Sequence, residues 1–339
     1  MMAVSIDLLT VADVLRWLPT FCILDCFNVT ILGCGSAKPT LRHSPSAQVV
    51  NFRDNRFLVD CGEGVQVGLS RSQVPLGRIG HIFLSHLHGD HCLGLVGLIS
   101  TLGLGQRTGE VVIHGPADTE RIFRPLFEFF CPQLSMEVRF EAHDTQHSSV
   151  IYESSNMRIT TIPLHHRVPC CGFLFEELPR PRHLLVERCR ELDIPVAYYR
   201  GITLGNDWTD PASGQVVPND LLTSPGTPGR KYAYCSDTIY AESIIPIIEG
   251  ADLLYHEATY AHADVVKARQ RGHSTALQAA QIAQKAHVGQ LVLGHYSAQF
   301  LSAEMERPLL DEARTVFENT VLANERMVVE VGGRTKGQR

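Results

Sequence analysis

The sequence predicts an α/β protein built on buried sheets, and three features carry that prediction. Short runs of β-branched and aromatic residues recur along the chain, each ends in a polar or glycine-containing turn, and longer helical runs lie between them. Hydrophobic residues make up 44% and charged residues 19% of the 339 positions, ordinary usage for a chain with a sizeable core. At ~150 residues per domain the length admits either two domains or one large α/β unit.

Val29, Ile31 and Leu32 make the first strand and run into Gly33-Cys34-Gly35-Ser36. Residues 48–52 and 56–60 read as two strands split by the turn signal Asp54-Asn55. A short apolar strand at 81–85 leads to a Leu-rich, Gly-containing helix at 92–104, followed by strand 111–114, helix 118–130 and strand 157–162. The second half repeats the alternation with strands 232–235, 253–256 and 290–293 and the helix 274–286. Between 172 and 230 the rhythm breaks into Pro179-Arg180-Pro181-Arg182, a helical run at 183–192 and a Gly- and Pro-containing turn at 210–214. This is an excursion from the body, to be read equally as a decorated loop or as a functional arm. The domain plan is therefore an N-terminal extension at 1–26, a body at 27–331 with an arm inserted at about 173–229, and a polar, basic tail at 332–339. The extension is apolar, but Asp7 and Asp13 interrupt it and Arg16 is its one basic residue, so it fails as a secretion signal. A packed amphipathic helix and a poorly ordered extension both remain open for it, the second being preferred.

Composition excludes several functions. Thirty basic against thirty-six acidic residues give a net charge of -6, so any nucleic-acid partner must be held by a local site. The ten cysteines are scattered, form no C-x-x-C pair and read as small buried side chains of a reducing, cytoplasmic compartment. No segment reaches the ~20 uninterrupted apolar residues of a membrane span.

The strongest chemical signal is Ser85-His86-Leu87-His88-Gly89-Asp90-His91, where a strand ends and a helix begins. Positions two apart at a strand end share a face, so His86 and His88 can converge on one ion, while Asp90 and His91 swing past the glycine towards a second. Imidazole with carboxylate suits zinc, with manganese or iron as alternatives. A two-ion site needs more ligands, and His166, Asp237 and His295 each follow a strand, where ligands of open α/β sheets gather. The remaining histidines, among them His43, His81, His114 and His143, lack ligand-like neighbours in sequence and read as structural or surface residues.

Together these residues resemble the metallo-β-lactamase superfamily and, within it, the ribonuclease Z (tRNase Z) family of tRNA 3′-processing endonucleases. The resemblance runs from about Val29 to Glu330. His86-x-His88-x-Asp90-His91 is shared by the superfamily; Leu32-Gly33-Cys34-Gly35-Ser36-Ala37 with Pro39, Val59-Asp60-Cys61-Gly62-Glu63-Gly64, His256-Glu257-Ala258-Thr259 and His273-Ser274-Thr275 are similar to the nuclease branch. The resemblance implies a four-layer αβ/βα fold and a zinc-dependent endoribonuclease that removes 3′ trailers from precursor tRNA and leaves a 3′ hydroxyl. It implies one ion held by His86, His88 and His166, a second by Asp90, His91 and His295, and Asp237 bridging the two, with Mn2+ or another divalent ion as an alternative to Zn2+. It further implies Asp90 as proton acceptor for the attacking water, His273 as general acid for the departing 3′ oxygen with Glu257 orienting it, and a cytoplasmic homodimer acting without a membrane. Asp60 reads as a buttress for a ligating histidine.

Two regions depart from the family pattern. The arm holds five arginines and no lysine against eight acidic residues, a net of -3, and lacks the Gly-Pro pair of family arms. Arg180 and Arg182, with the rings of Tyr198 and Tyr199, are its candidate RNA contacts. The family's Pro-x-Lys-x-Arg loop is here Pro39-Thr40-Leu41-Arg42, one residue shorter and without the lysine, leaving Arg42 as the candidate phosphate contact. The rivals are a phosphodiesterase for small or cyclic nucleotide esters and a metal-free RNA-binding protein. A flavodiiron role is disfavoured because that branch has glutamate where His88 stands, and a β-lactamase role by the absent secretion signal.

Overall fold

The computed structural model describes residues 26–226 and 228–332, so all but Cys26 of the expected extension and all but Gly332 of the expected tail lie outside the described residues. Two seven-stranded sheets form the body. The first contains β1 (Phe27–Gly33), β2 (Ala47–Phe52), β3 (Asn55–Val59), β4 (Ile79–Phe83), β5 (Glu110–Gly115) and β6 (Glu137–Ala142). The second contains β7 (Val150–Glu153), β8 (Met157–Leu164), β9 (Cys170–Glu177), β10 (Lys231–Cys235), β11 (Leu253–Glu257), β12 (Gln290–Gly294) and β13 (Thr320–Leu322). The last strand, β14 (Val328–Glu330), returns to the first sheet and pairs antiparallel with β1. Each sheet joins an antiparallel meander to a parallel run, β3-β4-β5-β6 in one and β10-β11-β12-β13 in the other.

Helices α1 (Val65–Arg71), α2 (Leu95–Leu104) and α3 (Thr119–Phe130) cover the first sheet, while α4 (Ala276–Lys285) and α5 (Ala303–Arg314) cover the second, completing the four-layer αβ/βα order. Strand β2 shows why both faces must be covered: Ala47 and Val49 join the core beneath the first sheet's helices, whereas Val50 and Phe52 join the core between the sheets. Phe83 meets Phe173 with ring centres 5.6 Å apart, fixing the two sheets face to face.

The structure adjusts several expected elements. The helical run at 92–104 divides into Gly89–Cys92 and α2, because Gly94 lies against the chain at Gly62, where a Cβ would stand 2.1 Å from the Gly62 carbonyl oxygen. Helix α4 starts two residues late, behind a capping box made by Thr275 and Gln278. Residues 173–177, expected at the start of the arm, belong to β9, which pairs with both β8 and β10; the excursion from the sheets therefore starts at 178. Within it Cys189, Ile194, Ile202, Trp208, Val217 and Leu222 close a small core of their own. None of the described helices is long and apolar enough to cross a membrane.

Candidate metal centre

Strand ends place the chemistry at one edge. His86 and His88 follow the end of β4, His166 follows β8, and Asp237 and His295 follow β10 and β12, while Glu257 closes β11. His86 Nε2 lies 3.1 Å and His166 Nε2 3.2 Å from His88 Nδ1, and both Nε2 atoms stand 3.7 Å from Asp237 Oδ2. On the other side His91 Nε2 is 3.1 Å from His295 Nε2, and Asp90 Oδ2 is 3.6 Å from the first and 3.5 Å from the second. Asp237 Oδ1 completes this group, 3.4 Å from His91 and 3.1 Å from His295. Thus one carboxylate turns one oxygen to each trio.

The far side of the rings is held as firmly. His91 Nδ1 donates to Asp60 across 2.7 Å, and His166 Nδ1 donates to the Gly272 carbonyl across 2.8 Å. His295 Nδ1 donates to the Thr259 hydroxyl across 3.0 Å, and that hydroxyl donates to Glu257 across 2.6 Å. Asp60 also accepts from the Tyr234 hydroxyl of the opposite sheet at 2.6 Å and from the Ser85 backbone and hydroxyl. Such outer partners fix which ring nitrogen faces inwards. Asp60 and His295 adopt left-handed backbone with φ of 55° and 59°, as does Ala37 at 65°, whose N–H donates to Asp90 Oδ2 across 2.5 Å. Strained non-glycine residues of this kind collect where neighbours over-determine the backbone.

Electrostatics agree with the geometry. Burial, then the neighbouring His91, pulls the His86 imidazole well below its ordinary range and keeps it a neutral donor. Burial opposes ionisation of Asp237, but His295, His91 and His86 outweigh it and hold this carboxyl well below the usual range. Five imidazoles and two carboxylates carry a charge of about -2 when the rings are neutral, a donor set suited to divalent metal.

His273 borders both groups, with Nδ1 3.9 Å from Asp237 Oδ2 and 2.9 Å from Glu257 Oε1, and its ring lines an open cleft of about 380 Å3. Burial lowers its pKa, yet the Glu257 carboxylate more than compensates and lifts it to about 9. Glu257 also receives the Thr238 backbone N–H at 2.9 Å, so it organises the strand end as well as the imidazole.

Ribonuclease Z of Bacteroides thetaiotaomicron is 50% identical over 309 residues, covering 91% of this chain and 96% of that protein. Ribonuclease Z of Parabacteroides distasonis is 48% identical over 305 residues, covering 90% and 99%. The chain belongs to the ribonuclease Z family. As a ribonuclease Z it is a nuclease, a hydrolase acting on phosphodiester bonds. The crystal structure of human tRNase Z, short form, matches with a TM-score of 0.64 and 26% identity over 90% of this chain and 99% of that one. The fold is that of the metallo-β-lactamases. A family model described as Anti-Pycsar protein Apyc1 matches residues 27–123. That stretch holds β1 to β5 and the His86 to His91 motif but stops short of His166, Asp237 and His295.

For this ribonuclease Z the remaining candidates fall elsewhere. Arg42 is outside the cleft lining, its guanidinium bonded to Glu306 at 2.9 and 3.1 Å and to Asn324 at 3.0 Å. Arg182 donates to Thr223 and Asp220 within the arm, and Arg180 lies 3.7 Å from Glu177. The cleft instead contains two exposed arginines absent from the sequence-based candidates, Arg167 beside His166 and Arg271 at the end of the helix Val265–Arg271, two residues before His273. Neither forms an ion pair among the described residues. Their signal was adjacency: each stands within two residues of a predicted site histidine.

Proposed function

We propose that this ribonuclease Z is a metal-dependent endonuclease that removes 3′ trailers from precursor tRNA and leaves a 3′ hydroxyl on the tRNA. The observation that carries the metal reading is Asp237, with Oδ2 facing His86 and His166 and Oδ1 facing His91 and His295. In this reading His86, His88 and His166 hold one divalent ion, Asp90, His91 and His295 hold the other, and Asp237 is shared. Zinc suits the imidazole-rich set best, with manganese as the alternative. Two such ions supply an acidified water and a positive field for the phosphoryl oxygens.

The chain's own residues do the rest. Asp90 takes the proton of the attacking water, its other duty being to hold an ion, and the Ala37 N–H fixes its orientation. His273, kept protonated by Glu257, gives its proton to the departing 3′ oxygen. Arg167 and Arg271 grip backbone phosphates on either side of the scissile bond, since charge-assisted contacts to phosphate are the ones an RNA backbone offers in every sequence. Arg42, Arg180 and Arg182 contact tRNA only by sharing guanidinium groups already engaged, so their contribution is the smaller one.

Homodimerisation and a cytoplasmic site of action belong to the same reading. The described cysteines are free thiols, which accords with a reducing compartment.

The test is cleavage of a 3′-extended precursor tRNA with mapped product ends, using metal-loaded protein, chelator-stripped protein and Asp90→Ala. A metal-dependent cut at the trailer boundary that disappears in the variant is the expected result. An intact precursor, together with hydrolysis of a small chromogenic diester, would instead make the small-ester phosphodiesterase the function.

A further inference from the structure

A second cluster of ligand-type side chains lies outside the catalytic cleft, where the loop after β1 meets the segment before β14. Cys34 and His43 are buried, and Glu325 reaches them from the other side with its side chain 25% exposed. Cys34 Sγ is 3.3 Å from His43 Nδ1, His43 Nδ1 is 3.1 Å from Glu325 Oε1, and Glu325 Oε1 is 3.8 Å from Cys34 Sγ. These spacings admit a point roughly 2.0 Å from the nitrogen and the oxygen and roughly 2.3 Å from the sulfur, the lengths of zinc bonds to those donors. The 3.1 and 3.3 Å spacings fall within the 3.1 to 3.7 Å that separates neighbouring donor atoms around Asp237, and the 3.8 Å spacing involves the larger sulfur atom. The other ring nitrogen of His43 is 2.6 Å from Glu306, which Arg42 anchors in turn. A carboxylate on the far nitrogen is the arrangement that aims a ligating imidazole at its ion.

We infer that Cys34, His43 and Glu325 form a third, structural metal site for a zinc-like divalent ion, distinct from the catalytic pair. Thiolate, imidazole and carboxylate are all zinc donors, and the partly exposed Glu325 leaves room for water as a fourth ligand. Charge balances with the ion bound: two positive charges meet the Cys34 thiolate and the Glu325 carboxylate, while Arg42 meets Glu306. Binding therefore releases the Cys34 thiol proton and the His43 Nδ1 proton to solvent. It balances equally without the ion, because a protonated His43 then lies between Glu306 and Glu325, and so the loop keeps its place in either state. The bound ion ties the end of β1 to the start of β14 and steadies the intervening loop, which delivers the Ala37 N–H to Asp90.

Two measurements decide the matter without reference to nuclease activity. Native mass spectrometry of zinc-replete protein freed of loose ion should show three zinc ions per chain, and two for Cys34→Ser and for Glu325→Gln. Cobalt-substituted protein should show a sulfur-to-cobalt charge-transfer band in the near ultraviolet that Cys34→Ser abolishes, since the catalytic trios contain no thiolate. Cys34→Ser changes one atom, and circular dichroism matching the wild type establishes that it folds. Two ions per chain with no thiolate band in the wild type would overturn the site and leave the cluster as a charge network around protonated His43. A third ion retained by both variants would likewise overturn it, by placing that ion elsewhere.

Discussion

The catalytic edge and the arm are built by opposite means. At the edge, His86, His91, Asp237 and His295 are almost wholly buried, and each takes its direction from partners on more than one strand end. In the arm, Arg188 and Arg190 are half exposed and paired with Glu191 and Glu187 of the same short helix, and Arg182 is paired with Asp220. A buried donor held by several elements has one available geometry, which is what a metal site demands. Exposed pairs within one segment are worth little and exchange easily, so they leave the arm's surface adaptable. The two regions therefore answer to different tests: damage at the edge shows in chemistry, and damage in the arm shows in binding.

The largest effect is expected at the shared carboxylate. Asp237→Ala should lower single-turnover cleavage by more than the ~10–100-fold that removal of an outer partner costs, with bound metal falling in parallel by elemental analysis. His273→Ala should follow, losing ~10²–10⁴-fold in kcat while KM and metal content hold. Were its metal content to fall as well, His273 would belong with the ligands rather than with proton transfer.

The next variants separate the edge's chemistry from its hold on RNA. Arg167→Ala with Arg271→Ala should raise KM for precursor tRNA ~10–100-fold at the energy of charged hydrogen bonds. The slope of affinity against salt should shrink by ~0.7 for each phosphate left without its arginine, with turnover of a small diester unchanged. Leu222→Ala tests the arm directly. Deleting this buried side chain should cost the arm's small core ~2–5 kcal/mol, weakening tRNA binding while metal content and small-diester turnover stay put. A fall in small-diester turnover would show that the two regions are mechanically coupled.

The smallest effect concerns the clasp beside the edge. Burial opposes the charge on His43, but Glu306 and Glu325 together raise its pKa to about 9. With the folded value above the unfolded ~6.5, this contribution to stability is whole below about 6.5 and is lost as pH rises to about 9. Thermal melts of chelated protein across that window should show a falling midpoint, flattened in Glu306→Gln.

Much of the edge was legible because its residues follow strands. His86, His88, Asp90 and His91 lie within one turn, and the strand ends before His166, Asp237 and His295 are marked by short apolar runs. Less visible was whatever depends on distant partners. His43 has no ligand-like neighbour in sequence, yet it meets Glu306 and Glu325 more than 260 residues away. Arg42 looks like a phosphate contact until α5 supplies Glu306. Strand β9 is hidden in the sequence because 172–177 runs straight into the proline-rich excursion that follows it, although its Phe173 and Phe175 are central to the core between the sheets.

By itself the sequence showed the α/β alternation and the His86 to His91 motif, which rest on local pattern and residue chemistry, while the grouping of His166, Asp237 and His295 with that motif came from the family resemblance. Only the tertiary structure decided which oxygen of Asp237 faces which trio, which arginines reach the cleft and which are tied up elsewhere, and that Cys34 meets His43 and Glu325. Those are relations between side chains far apart in the chain, and they exist only once two sheets have packed against each other and brought their strand ends to one edge.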